Sequence, residues 1–138
     1  MAITFQTLDI KFELNQKSKV KNWINQIIKI EKKKTGEICF VFTNDKELLK
    51  INKQFLKQNT NTDIITFDYC EGKTISGDIF ISVERVKENA KKFKSHFDEE
   101  IKRVMIHGVY HMCGYSDKTK SASAIIRKKE NWALTKFK

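Results

Sequence analysis

The chain has 138 residues, 40% hydrophobic and 32% charged, which is enough apolar material for one domain with its own core and too much for wholesale disorder. No apolar run approaches the ~20 residues that cross a bilayer, and the opening stretch MAITFQTLDIKFELNQK carries neither a basic leader nor a small-residue cleavage site, so a cytoplasmic protein with no membrane partner is expected. Twenty-seven Lys plus Arg against 17 Asp plus Glu leave a net charge of +10. Such a balance suits a polyanion, because each neutralised phosphate releases condensed counterions; solubility of a Lys- and Asn-rich chain is the plainer reading of the same numbers. Three cysteines, Cys39, Cys70 and Cys113, form no C-x-x-C pair and read as buried thiols rather than a disulfide framework or zinc knuckle.

Residues 3 to 14 alternate loosely (Ile3, Phe5, Leu8, Ile10, Phe12, Leu14), as a half-buried strand or ribbon does. Val20, Trp23, Ile24, Ile27 and Ile28 then fall on one face of a helix, with Gly36 as its stop signal. Glu37 to Thr43 is a β-branched and aromatic run of strand length, followed by Asn44 and Glu47 as the cap and third residue of a helix reaching about Phe55. Asp63 to Tyr69 and Gly77 to Ser82 predict two strands joined closely enough to pair as an antiparallel hairpin. Ser82 caps the next helix, whose apolar positions are Val83, Val86, Ala90 and Phe93. Another helix starts near His96 to Asp98. Its stretch Val104 to Cys113 has no formally charged side chain, which marks a central, buried helix. A last helix, roughly Thr119 to Lys136, carries Ile125, Ile126 and Trp132 on an otherwise basic surface. The expected fold is a single α+β (mixed α/β) domain over residues 1 to 138, a sheet of about four strands packed with about five helices, the buried one carrying the chemistry.

That chemistry lies in Ile106 to Asp117, IHGVYHMCGYSD. His107 and His111 are one helical turn apart, so both rings project from the same face and can share an ion. Gly114 can take the left-handed conformation that ends the helix, and the turn brings Asp117 toward the pair. The pattern H-x-x-x-H-x-x-G-x-x-D therefore supplies three ligands on a rigid frame and leaves a fourth position for water. Two satisfied core histidines with a loop or N-cap acid are the bland alternative. The glycine and the acid at these spacings, within a helix too apolar for idle histidines, favour metal. Metzincin proteases share the spacing, with a glutamate base directly after the first histidine; here that place is Gly108, which disfavours a minimal metallopeptidase. Glu100, two turns before His107, is a candidate outer partner of the site, with a solvated or lysine-paired carboxylate as the plainer reading. His96 lies outside the pattern and reads as a surface residue.

These residues resemble the YbeY family of rRNA-maturation endoribonucleases, whose zinc motif is H-G-x-L-H-L-x-G-Y-D-H. His107, Gly108, His111, Gly114 and Tyr115 match it, and Met112 is a conservative neighbour. Upstream, Asn52 to Phe67 is similar to a family stretch ending T-D-V-L-S-F, matching at Thr62, Asp63 and Phe67, and GDIFIS resembles the family's G-D-I strand at Gly77 and Asp78. The resemblance implies hydrolysis of single-stranded RNA, with rRNA precursors or a ribosomal subunit as partner and one Zn2+ per chain. The family's third histidine falls at Asp117, so the implied ligand set is two His and a carboxylate, acceptable to zinc and more tolerant of other divalent ions. A family arginine thought to meet phosphate falls at Leu56. Lys57 is its nearest substitute, a point charge without the bidentate fork. No residue announces itself as general base; Lys57 and Asp63 are the weak catalytic candidates, and Thr62 with Asp63 can either rigidify the site or merely cap the strand that follows. Phe55, Phe67, Tyr69 and Tyr115 can stack on bases but read mostly as core. The other class of reading is a non-catalytic, ribosome-associated RNA-binding factor with a structural metal.

Overall fold

The computed structural model describes residues 2–55 and 62–137. Lys57 and Leu56 lie outside the described residues. In chain order the elements are β1 (Ala2–Thr7), α1 (Lys17–Ile30), β2 (Lys34–Thr43), α2 (Asp45–Phe55), β3 (Ile64–Asp68), β4 (Thr74–Ser82), α3 (Val83–Lys92), α4 (Phe97–Met112) and α5 (Lys120–Thr135). The four strands form one mixed sheet in the order β1-β2-β4-β3. β1 and β4 run parallel to β2, and β3 pairs antiparallel with β4. The β3–β4 hairpin turns through Gly72, at φ +57°, with Glu71 and Thr74 exchanging backbone hydrogen bonds of 3.1 and 2.9 Å.

Alternation along the central strand explains where the helices lie. Ile38, Phe40 and Phe42 of β2 point into the main core with Ile75, Ile79 and Ile81 of β4, where α1 contributes Val20, Trp23, Ile24, Ile27 and Ile28 and α4 contributes Ile101, Met105, Ile106, Val109 and Tyr110. Val41, one residue out of phase, faces the other way and is buried apart from that cluster, as are Leu48 of α2 and Ile65 of β3. Trp23 donates its indole N–H to the Ala133 carbonyl at 2.8 Å, tying α1 to α5. Among the described residues no helix is long and apolar enough to cross a membrane.

Several boundaries differ from the sequence expectation, each for a local reason. The alternating N-terminal run is a strand only to Thr7; Asp9 takes φ +53°, and Phe12 and Leu14 reach the core from an irregular segment. Helix α1 ends at Ile30 rather than near Gly36. Lys32 adopts φ +61°, and Lys33 N–H returns to the Ile28 carbonyl at 3.1 Å, a Schellman ending made without glycine. Gly36 belongs to β2 instead, where a side chain would collide with Ser76 Oγ and Thr74 Cγ2 of β4. Phe93, expected on the buried face of α3, stands 58% exposed at that helix's C-terminal end. Ile125 and Trp132 are exposed while Ile126 is buried, and the cysteines are half-buried and free rather than enclosed. The caps follow expectation: Asn44 accepts from Glu47 N–H at 2.8 Å, Ser82 from Arg85 N–H at 3.1 Å and Thr119 from Ala122 N–H at 3.0 Å.

Candidate metal centre

Helix α4 buries Val104, Met105, Ile106, Gly108, Val109, Tyr110 and Met112 and leaves His107 and His111 half-buried on its uncovered stripe. Gly108 is closely packed: a Cβ there would stand 3.0–3.2 Å from Ile64 and Ile79 side-chain atoms of β3 and β4, which would have to give way. With glycine at 108, the base of the peptidase design is missing from this helix. The helix ends in a second Schellman turn, with Tyr115 N–H reaching the Tyr110 carbonyl at 3.1 Å and Gly114 at φ +107°. The Tyr115 hydroxyl donates to Glu31 Oε1 at 2.7 Å, and Lys129 Nζ donates to the other oxygen at 3.1 Å. That brace, from the end of α1 and from α5, fixes the turn that presents Asp117.

The three expected ligands converge. His107 Nε2 and His111 Nε2 lie 2.9 Å apart, and Asp117 Oδ2 is 3.4 Å from each. Two ligands ~2.0–2.1 Å from one zinc ion at the tetrahedral angle are about 3.3 Å apart. The triangle thus matches one face of a tetrahedron and fits a single divalent ion. Asp117 is exposed and the two histidines are half-buried, and among the described residues no further His, Cys, Asp or Glu joins the three.

A residue missed by sequence reasoning completes the arrangement. Glu130 of α5, only 3% exposed, accepts from His107 Nδ1–H at 2.5 Å and from Arg103 Nη1 at 3.2 Å. With Nδ1 committed to this carboxylate, Nε2 keeps its lone pair for the ion. Burial alone pushes the His107 imidazolium down, but the Glu130 hydrogen bond and charge, with Asp117 and Asp63, outweigh it and hold the group above its ordinary value. The available signal was the spacing Ile126, Glu130, Ala133, a carboxylate on the one buried stripe of α5.

Glu100 is buried, neither solvated nor paired with a lysine; Arg103 Nε is 4.0 Å away, and burial raises its carboxyl above the usual range. Asp63 lines a cleft of about 710 Å³ beside His107. Burial raises its carboxyl too, against the lowering influence of His107 and Arg85. It is not among the three converging ligand groups. Thr62 Oγ1 bonds the Ile64 carbonyl at 3.2 Å, the strand-capping role. Phe55 and Tyr69 are about 60% exposed rather than core, while Phe67 packs edge-on between Phe55 and Phe80. His96 is exposed at the start of α4, as expected. Burial pushes the Cys113 thiol up to about 12, which leaves it a poor ligand.

A family model described as Endoribonuclease YbeY matches residues 2–138. The chain belongs to the YbeY endoribonuclease family. A YbeY endoribonuclease of Flavobacterium psychrophilum is 49% identical over 129 residues, covering 94% of this chain and 92% of its own. One of Bacteroides fragilis is 44% identical over 134 residues, covering 97% and 96%. Among solved structures, the solution structure of a Thermotoga maritima protein superposes with a TM-score of 0.64 at 26% identity, covering 96% of this chain and 89% of the other. In this YbeY chain His107, Gly108 and His111 lie on α4, and Gly114 and Tyr115 in the turn after it.

Proposed function

We propose that this protein is a metal-dependent endoribonuclease that cleaves single-stranded RNA in rRNA maturation, in the cytoplasm, with one zinc or similar divalent ion held by His107, His111 and Asp117. The observation that carries the reading is the triangle of Nε2, Nε2 and Oδ2 atoms with sides of 2.9, 3.4 and 3.4 Å, its Asp117 corner exposed. A divalent ion held there supplies Lewis-acid polarisation of a phosphate oxygen. The rest falls to the chain. Helix α4 holds both imidazoles rigidly, Glu130 orients His107, and the Glu31–Tyr115–Lys129 brace holds the turn bearing Asp117. Three protein ligands among the described residues favour a catalytic over a structural ion, since structural zinc sites close with four. The net charge of +10 supports a polyanionic substrate. From the sequence alone, Lys57 is the proposed RNA contact in place of the family arginine, and Asp63 beside His107 is the proposed secondary group of the site.

The test is cleavage of single-stranded and precursor rRNA by the zinc-loaded protein beside His111→Ala and metal-stripped protein at matched concentration. Loss of cleavage in both controls assigns the activity to this site, because a contaminating nuclease ignores both changes. Cleavage that persists in both sinks the proposal. RNA and metal binding without cleavage transfers it to the ribosome-associated binding factor.

A further inference from the structure

The cleft beside the metal centre has a wall that ion binding does not use. At its edge stands Phe93, the residue that caps the C-terminal end of α3, 58% exposed and with Lys92 Nζ 5.7 Å from its ring centroid. Lys94 at φ +54° and the Ser95 N–H bond to the Ala90 carbonyl at 2.9 Å close that helix end, and they leave the ring in the cleft instead of the core. Asn89, one turn earlier on the same helix, brings a side-chain amide to the same wall. Lys120 and Arg127 come from α5. Arg103, mostly buried, is held by Glu130 at 3.2 Å, whereas Arg127 is more than half exposed and lies 3.8 Å from the same carboxylate.

We propose that this cleft is a nucleobase subsite: one base of the RNA strand stacks on Phe93, its polar edge meets the Asn89 amide, and the flanking phosphates meet Lys120 and Arg127. The proposal rests on the RNA-cleaving reading above and deepens it. An aromatic face accepts any base, an amide carries both donor and acceptor for a base edge, and two cations suit the phosphates on either side. The volume of about 710 Å³ lies within the range of small-molecule sites. His107 and Glu130 line the same cleft, so a strand seated on Phe93 passes its backbone along the metal centre. An acidic peptide would use the cations but has no use for a stacking face beside an amide.

The experiment measures binding of a fluorescein-labelled single-stranded RNA decamer to metal-stripped protein by anisotropy, where no cleavage intervenes. Phe93→Ala is expected to weaken binding by about fivefold or more, the low end of a base–aromatic contact, while Phe93→Tyr stays within about twofold of wild type. Trp132→Ala, an exposed aromatic of α5 away from this cleft, should leave binding unchanged. Emission of a Phe93→Trp variant should be quenched on adding RNA, a signature that a merely structural role does not produce. Phe93 is exposed, so these variants keep the fold. Equal affinity of wild type and Phe93→Ala, or an equal loss in Trp132→Ala, overturns the subsite while metal-dependent cleavage by wild type leaves the endoribonuclease reading standing. Failure of wild type to bind or cleave RNA overturns both.

Discussion

Glu130 is a buried carboxylate that the fold tolerates because it is fully partnered, by Arg103 at 3.2 Å on one oxygen and His107 Nδ1 at 2.5 Å on the other. Replacing it with glutamine keeps the shape, loses the charge and swaps one oxygen for a donor. Outer carboxylates of this kind are worth about 10–100-fold in metal affinity, and Glu130→Gln should lose affinity in that range, read by competition with a chromophoric zinc chelator. The pH dependence changes as well. Because the imidazole of His107 is held above its ordinary value in the metal-free protein, protons compete with the ion until pH rises past that raised value. Without the Glu130 charge, the loss of affinity on acidification begins at lower pH. The same shift acts on the metal-free fold. Its extra stability is complete below the ordinary imidazole value and disappears as pH rises through the raised one. A metal titration repeated across pH that gives superimposable profiles for wild type and Glu130→Gln contradicts this account.

At the scale of elements, two glycines set how closely helix α4 approaches the sheet. Gly108 lies against Ile64 and Ile79, and a Cβ on Gly77 would collide with the Phe67 carbonyl of the paired strand and stand 2.8 Å from Met112 Sδ. Backbone cannot yield as a side-chain tip can. Gly77→Ala should therefore cost about 1–3 kcal/mol, the usual penalty of overpacking, measured by urea unfolding; an unchanged midpoint would mean that β3 and β4 separate freely. Helix ends show why boundaries were less legible than helices. Gly114 announced its Schellman turn in the sequence, but the matching turns at Lys32 and Lys94 use lysines in the left-handed region, which no composition rule marks. Gly36, read as a stop, is instead a point of close strand approach. Phe93 followed the apolar period of α3 yet falls where the chain has already left the helix.

Over the whole molecule, legibility tracked sequence separation. The two imidazoles, the glycine turn and the acid lie within Ile106 to Asp117, so helical period and one turn were enough to bring them together. Glu130, Arg103 and the Glu31 brace come from α5, α4 and the end of α1, and only the packing of those helices makes them neighbours. The hairpin of β3 and β4 was readable from its short connection, whereas the order β1-β2-β4-β3 depends on parallel pairings between distant segments. Charge is the property that no single element holds. An excess of ten positive charges makes RNA association largely an exchange of counterions, so the logarithm of affinity should fall linearly with the logarithm of salt, with a slope near −0.7 for each phosphate engaged on a single strand. Three engaged phosphates correspond to a slope of about −2. Removing the cleft cations together, as Lys120→Ala with Arg127→Ala, should flatten it by about 1.4, whereas Phe93→Ala should lower affinity at every salt concentration without changing the slope, because stacking releases no counterions. Parallel salt titrations of the three proteins separate the two contributions, and a slope unchanged in the double variant would place the phosphate contacts elsewhere on the basic surface.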